Sequence, residues 1–179
     1  MNRESPAYRI AFCALLAALG TAFMLSSNLI PVLTYASPML ASLTLIPVLR
    51  EFGKKYAWMT WAVTGALALM LCADREAAFF YLFIGYYPII KPSLDRIRSK
   101  PARNLAKLAV FAAGITLMVL SLLFLVGLND IKEELWWNTA FYIMMIAVMF
   151  LFDRTYALMT MLYEKRLRRV LMRNRQNPG

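Results

Sequence analysis

The sequence predicts an all-α integral membrane protein, a six-helix transmembrane bundle with both the N- and C-termini cytoplasmic. Of its 179 residues, 61% are hydrophobic and only 17% are charged, whereas soluble domains typically carry about 25% charged residues. A helix that crosses a membrane needs roughly 20 mainly apolar residues, so the chain has room for about six. We therefore expect a single membrane domain over residues 1–179.

Six apolar stretches follow one another along the chain and end in a basic tail. The second stretch is short and holds Pro38 and Pro47, so we expect it to bend or to cross the membrane incompletely. Gly53 follows it in a charged turn and is an expected helix C-cap. The predicted spans are 9–29, 36–49, 56–73, 77–90, 105–128 and 136–152, and a basic amphipathic cytoplasmic extension covers 153–175.

The distribution of basic residues predicts which side of the cell membrane each turn faces. With both termini cytoplasmic, the outer turns hold only Arg75 and Lys132, and the other 18 of the 20 lysines and arginines are cytoplasmic. This split agrees with the positive-inside rule. Because the basic residues alternate with spans and do not line one soluble face, the net charge of +10 does not indicate a nucleic-acid partner. The cytoplasmic segments are residues 1–9, 50–55, 91–107 and 153–179.

An apolar run breaks at prolines in residues 83–92, just before the longest basic loop. One interpretation is structural: Pro88 removes a helix hydrogen bond and kinks the fourth span, Gly85 relieves the crowding, and the adjacent tyrosines anchor the interface. The other is functional: a kink that leads to Lys91 would form a docking surface for a partner's coupling helices. Both interpretations place the break on the cytoplasmic side.

The sequence predicts neither an enzyme nor a cofactor-binding protein. No span carries Asp, Glu, Lys, Arg or His in its middle, and the chain has no histidine at all. Proton-driven pumps usually depend on such buried ionisable groups. The two cysteines, Cys13 and Cys72, fall near opposite membrane faces, too far apart for a disulfide or a shared metal. No glycine-rich phosphate loop is present, so we expect no ATP binding, no catalytic residue and no metal.

Small residues form a stripe on the first span. Ala14, Ala18 and Ala22 recur every four residues, a spacing that lets another helix approach closely. This alanine stripe fits either packing within the bundle or contact with a partner helix. Together with six short spans, cytoplasmic termini and a proline-bearing first outer connection, it resembles the substrate-binding S-components of energy-coupling factor transporters.

The resemblance implies a function and a set of partners. An S-component binds a vitamin-like or other micronutrient ligand from outside, and it works with a transmembrane coupling subunit and two cytoplasmic ATPases. In that family the small-residue stripe of the first helix contacts the coupling subunit, which maps here onto the alanine stripe. We add the basic loop to this predicted partner interface, which is then Ala14, Ala18, Ala22, Lys91 and Arg96.

The ligand site implied by the resemblance lies in the outer half, beneath residues 26–37. Aromatic rings there would stack on a planar ligand, and amide and hydroxyl groups would orient it. Other roles are open: Tyr35 and Trp137 as interfacial anchors, Asn138 as a helix N-cap, and Arg75 in a pair within its own turn. The candidates, chosen by location, are Ser27, Asn28, Tyr35, Arg75, Tyr81, Trp137, Asn138 and Tyr142.

Two rival functions also fit the sequence. One is a non-transporting membrane scaffold or accessory subunit, whose alanine stripe and basic tail recruit partner proteins or anionic lipid. The other is a membrane enzyme that acts on lipid, against which stands the absence of any acid, base or metal constellation. The importer function predicts a pocket in the outer half, whereas the scaffold needs none.

Overall fold

The chain folds into α-helices, and a computed structural model describes residues 5–28, 33–126 and 135–167. No strand occurs in these residues, which confirms the predicted all-α class. The chain divides into two compact units, residues 1–137 and 138–179. The helices are α1 (Pro6–Leu25), α2 (Ala36–Leu43), α3 (Leu45–Phe52), α4 (Lys54–Leu71), α5 (Arg75–Ile84), α6 (Tyr87–Leu94), α7 (Lys100–Val126) and α8 (Leu135–Leu162), with a 3₁₀ turn at Ser26–Asn28 and a π turn at Tyr163–Leu167.

Each of the six predicted spans coincides with one helix or with an interrupted pair of helices. The second predicted span is the pair α2 and α3, the fourth is the pair α5 and α6, and the others are single helices. Among the described residues, two stretches, Pro6–Asn28 and Lys100–Ser121, are long and apolar enough to cross a membrane by length and composition. Six membrane crossings therefore stay a prediction. The basic extension begins as a continuation of α8 and its π turn, and residues 168–175 lie outside the described part.

The interruption between α2 and α3 follows from proline. Pro47 occupies the third position of α3, and it has no N–H with which to continue the hydrogen-bond ladder of α2. Thr44 fills the gap, because its N–H and its hydroxyl both donate to the Ala41 carbonyl, at 3.2 and 2.7 Å. The predicted bend in the second span is therefore a one-residue break.

The interruption between α5 and α6 has the same cause. Pro88 is the second residue of α6, and a proline here cannot donate to the Ile84 carbonyl. The Gly85 N–H donates to the Tyr81 carbonyl at 2.7 Å, and a Cβ on Gly85 would collide with that same carbonyl oxygen. The sequence predicts a kink at Pro88, but the structure shows a complete stop with a new helix beginning at Tyr87.

The first unit has two ends of opposite chemical character. The 18-residue α4 runs between them and is ~27 Å long. The acidic end comprises residues 26–28, 33–35 and 72–77, where Asp74 and Glu76 lie. The basic end comprises residues 50–55 and 91–107, joined where the Lys54 ammonium donates to the Ser93 hydroxyl at 2.6 Å.

Small residues make the helix packing between these ends close. One buried cluster lies toward the acidic end and a second toward the basic end, and alanines contribute to both. Gly114 of α7 lies against the backbone of α5, so that a Cβ there would come within 2.8 Å of the Phe83 carbonyl oxygen. Such close approach is typical of helices that associate in lipid. The clusters are Met24, Ala41, Ala68, Cys72, Ala77, Ala78 and Tyr81, and Leu45, Val48, Ala57 and Ile89.

Candidate functional site

At the acidic end, the described parts of the connection between α1 and α2, residues 26–28 and 33–35, bond to the turn between α4 and α5 and to the first turn of α5. Asn28 closes the first 3₁₀ turn, and its side-chain oxygen accepts hydrogen bonds from the backbone N–H groups of Ala73 (3.1 Å) and Asp74 (3.3 Å). These N–H groups lie just before α5, where they have no helical partner. One amide side chain therefore ties together segments that are 45 residues apart.

Two carboxylates hold the other side of the same connection. The Thr34 hydroxyl donates to Asp74 Oδ2 at 2.8 Å, and the Tyr35 hydroxyl donates to Glu76 Oε1. Asp74 also caps α5, since its Oδ1 accepts from the Ala77 N–H at 3.1 Å. The Tyr35 ring meets the Phe80 ring edge to face at 5.5 Å. These contacts are thus of two kinds. Hydrogen bonds of Thr34 and Tyr35 to the carboxylates form a polar rim, and the Tyr35 and Phe80 rings form an aromatic contact next to it.

The electrostatics keep Tyr35 a hydrogen-bond donor. Burial raises the pKa of the Tyr35 phenol most, and the hydrogen bond and negative charge of Glu76 raise it further, with a smaller contribution from Asp74. Each cause disfavours a phenolate beside carboxylates. The Tyr35 phenol therefore stays protonated over the physiological pH range. Its hydrogen bond to Glu76 is not lost by deprotonation in that range.

Below this rim lie hydroxyl groups buried among helices. Tyr81 of α5 and Thr64 of α4 are both fully buried. The two hydroxyls are neighbours, but neither has a partner in hydrogen-bonding geometry within the described part of the chain. The buried Ser37 hydroxyl of α2 also has no hydrogen-bond partner among the described residues. A buried polar group without a partner costs about 1–3 kcal/mol, so these groups have unused capacity to bind a polar atom.

Five of the eight predicted ligand residues belong to the helices and turns of this region. Asn28 and Tyr35 make the docking contacts described above, and Tyr81 lies beneath them. The buried Ser27 hydroxyl is satisfied by the Met24 carbonyl at 2.8 Å, and Arg75 is the exposed first residue of α5. The side chains of Trp137, Asn138 and Tyr142 lie outside the described part, although Asn138 falls within α8 and not at its N-cap.

Sequence reasoning missed the groups that hold the connection in place. Asp74 lies three residues before the apolar run that begins at Ala77. An Asp at this distance has the pattern of an N-cap, which would have predicted its bond to the Ala77 N–H. No local pattern reveals that Thr34 pairs with Asp74, or that Tyr35 pairs with Glu76. The buried Thr64 also gave no signal, because a lone threonine in an apolar helix is ordinary.

The predicted partner interface is divided between two surfaces. On α1 the alanine stripe is exposed, whereas Ala17, Gly20, Thr21 and Met24 form the buried face. At the basic end the Lys91 side chain is buried, with its ammonium 5.9 Å from the centre of the Tyr87 ring. Arg96 is exposed in the turn after α6.

Neither a search for metal-binding clusters nor comparison with known proteins identifies a function. The residues that the structure describes contain no group of three or more His, Cys, Asp or Glu side chains suited to a metal ion. Comparisons of the chain with protein-family models, with curated proteins and with solved structures found no match.

Proposed function

We propose that the protein is an S-component-like membrane subunit that binds a small micronutrient-type ligand from outside the cell. It works with a separate transmembrane coupling subunit and ATPase subunits for import, and it is not itself an enzyme. The observation that carries this proposal is the acidic end, where Asn28 and Tyr35 make hydrogen bonds at the rim and buried hydroxyls nearby in the bundle have no partner among the described residues. In the proposal these rim bonds, which exchange readily with water, open to admit the ligand.

In this proposal the chain crosses the membrane six times. Helices α2 and α3 together form one interrupted crossing, and α5 and α6 form another. Non-helical backbone is tolerated at membrane depth when protein surrounds it, and Thr44 and Gly85 at the two breaks are buried. Large apolar side chains face outward from the helices, among them Leu15 at 67% exposure, Met70 at 82% and Phe124 at 90%. A lipid environment would solvate these side chains, whereas water would not.

The proposed ligand is recognised by its uncharged hydrogen-bonding groups. The Tyr81 and Thr64 hydroxyls can each donate and accept, and the site's charged groups lie at the rim, in residues 74–76. The edge-to-face pair of Tyr35 and Phe80 supplies aromatic surface between rim and hydroxyls. Entry requires the bonds made by Asn28, Thr34 and Tyr35 to open.

The exposed alanine stripe fits the coupling half of the proposal. Ala14, Ala18 and Ala22 present a surface with no bulky side chain on the outside of α1, which allows a second helix to approach closely. The same stripe also suits the alternative, a non-transporting scaffold that recruits partner proteins or anionic lipid. The close packing at the acidic end favours the scaffold, because a scaffold does not need this end to open.

The deciding experiment measures whether the purified full chain holds a small molecule at the acidic end. Native mass spectrometry would detect retained molecules, and thermal unfolding would be followed with added riboflavin, thiamine, pyridoxine, biotin and nicotinamide. One or more should stabilise the protein, and Tyr81→Phe should weaken that stabilisation by about tenfold in ligand concentration, the effect of losing roughly 1.4 kcal/mol of binding. Tyr81→Phe should change the stability of the ligand-free protein little, because the Tyr81 hydroxyl lies beside that of Thr64 but outside regular hydrogen-bonding geometry.

Thr21→Val is the matched control, because the buried Thr21 hydroxyl is already satisfied by the Ala17 carbonyl at 2.9 Å. It should not alter the response to the ligand. If no small molecule is retained and none of the five compounds stabilises the chain, while a partner protein survives purification, the scaffold is the better account.

A further inference from the structure

Two glycines lie against the side chains that carry the buried hydroxyls of Tyr81 and Thr64. Gly85, where α5 stops, contacts the Tyr81 ring. A Cβ added to Gly85 would lie 2.8 Å from Cδ2 and 3.0 Å from Cε2 of that ring, and it would also collide with the Tyr81 carbonyl oxygen. Carbon atoms in contact are normally about 3.5–4.0 Å apart. The ring can therefore occupy its place only because residue 85 has no side chain.

Gly20 has the same relation to Thr64. It belongs to the buried face of α1, and a Cβ there would lie 3.2 Å from the Thr64 methyl carbon and 3.1 Å from Thr44 Oγ1. The methyl group of Thr64 therefore faces α1. Because the methyl and the hydroxyl share one Cβ and turn together between staggered rotamers, the contact that fixes the methyl also fixes the direction of the hydroxyl.

Both glycine contacts act on one pair of hydroxyls in the core. The Tyr81 and Thr64 hydroxyls are neighbours, yet neither has a partner in hydrogen-bonding geometry within the described part of the chain. Both residues are fully buried, and close packing leaves buried side chains little room to turn. The two hydroxyls are therefore held side by side without forming a regular hydrogen bond to each other.

We propose that Gly85 and Gly20 are positioning residues of the ligand site, which hold the Tyr81 and Thr64 hydroxyls where one ligand bonds to both. The ligand comes from the proposed function, but the placement of the hydroxyls is a property of the ligand-free chain. Two fixed hydroxyls favour a ligand whose polar atoms have a matching separation, because they lose little further rotamer entropy on binding it. The glycines thus act on the ligand through Tyr81 and Thr64.

A third glycine, Gly65 of α4, supplies the matched control. A Cβ on Gly65 would lie 3.8 Å from Tyr81 Cδ1, which is an ordinary contact distance, and its close contact at 2.7 Å would be with Leu82 Cδ2. Leu82 is partly exposed, and the end of its side chain moves aside more easily than a backbone carbonyl does. Gly65→Ala should therefore leave the Tyr81 ring in place.

The test observes the Tyr81 hydroxyl in the purified full chain without added ligand. Ultraviolet resonance Raman spectra contain a tyrosine doublet whose intensity ratio reports the hydrogen bonding of the phenol. The difference between each variant and the same variant with Tyr81→Phe isolates Tyr81. Gly20→Ala should change the Tyr81 ratio, because the displaced Thr64 takes its hydroxyl away from Tyr81. Adding Thr64→Ser should restore the ratio, since serine keeps the hydroxyl but lacks the methyl that the new Cβ meets.

Gly85→Ala should also change the Tyr81 ratio, whereas Gly65→Ala should not. Because the new Cβ on residue 85 also meets a backbone carbonyl, Gly20→Ala and its restoration by Thr64→Ser decide the test if Gly85→Ala does not fold. An unchanged ratio in Gly20→Ala, an equal change in Gly65→Ala, or no restoration by Thr64→Ser would overturn the proposal.

Thermal unfolding with the five compounds named above gives a second measurement. For a compound that stabilises the chain, Gly20→Ala should raise the concentration needed for half of the stabilisation by about 2- to 10-fold, the effect of losing one hydrogen bond. Thr64→Ser should reverse this rise, and Gly65→Ala should not cause it. The Raman measurement needs no ligand, so the positioning role and the micronutrient function can each fail alone.

Discussion

The acidic and basic ends of the first unit are held together by different forces. At the acidic end, Asn28, Thr34 and Tyr35 make directional hydrogen bonds to a turn and to two carboxylates. At the basic end, α1, α3 and α4 meet through a cluster of aromatic rings centred on Phe52. Hydrogen bonds exchange with water at little net cost, whereas packed rings do not. The rim of the acidic end is therefore held mainly by directional hydrogen bonds, and the basic end mainly by packed aromatic rings.

The largest expected effect comes from removing the ring at the centre of the basic end. Phe52 lies 6.3 Å from Tyr8, 5.4 Å from Phe12 and 5.9 Å from Tyr56, measured between ring centroids. Phe52→Ala should lower the free energy of unfolding by about 2–4 kcal/mol, since each aromatic pair contributes roughly 0.5–1.5 kcal/mol. Reversible unfolding in detergent would measure the loss.

Phe124→Ala is the matched control, because Phe124 is 90% exposed on α7. It should change stability by much less. Equal losses from Phe52→Ala and Phe124→Ala would mean that the ring cluster does not hold the basic end together, and the contrast between the two ends would disappear.

A smaller effect is expected at the acidic end, and it should be local. Asn28→Ala removes the acceptor for the Ala73 and Asp74 N–H groups. Hydrogen exchange of these two amides should accelerate about fivefold, which corresponds to losing ~1 kcal/mol of protection, while global unfolding changes little. Ser26→Ala is the control, since the Ser26 hydroxyl donates to the Phe23 carbonyl of the adjoining α1, at 2.6 Å, and not to the turn before α5. Unchanged exchange in Asn28→Ala would show that the connection is not held by this contact.

The smallest effect is a titration. The raised pKa of Tyr35 means that its contribution to stability is fully present below about pH 10, the ordinary value for tyrosine, and is lost only as pH rises through the higher folded value. In tyrosinate absorbance, Tyr35→Phe should therefore leave the rise near pH 10 unchanged in the folded protein. A rise reduced by one tyrosine would show that Tyr35 is exposed to water and that the connection is already open.

The helices could be predicted from the sequence because they depend on local features. Apolar runs of the right length gave all six helical stretches, and Pro47 and Pro88 marked the interruptions because proline lacks a backbone donor. The extent of the interruption at Pro88 was not predictable, since it depends on how closely Gly85 lies to Tyr81. Gly53 is the C-cap that its place in a charged turn predicts.

The candidate site could be predicted only as a region. Asn28, Tyr35 and Tyr81 were placed together because successive spans must return to the same side. The pairing of Tyr35 with Glu76 spans 41 residues, and no periodicity encodes a contact at that separation. The exposure of Ala14 was likewise not evident, because the opposite face of α1 also carries small residues, Ala17 and Gly20.

Gly53 has a consequence for how the chain folds. It is the single residue between α3 and α4, with φ at +84°, a conformation that glycine adopts without strain. Closing a loop costs entropy that grows with loop length, and this connection has almost no length. Bringing α3 and α4 into contact therefore costs little conformational entropy. This pair is suited to form early in folding, before α1 packs against it.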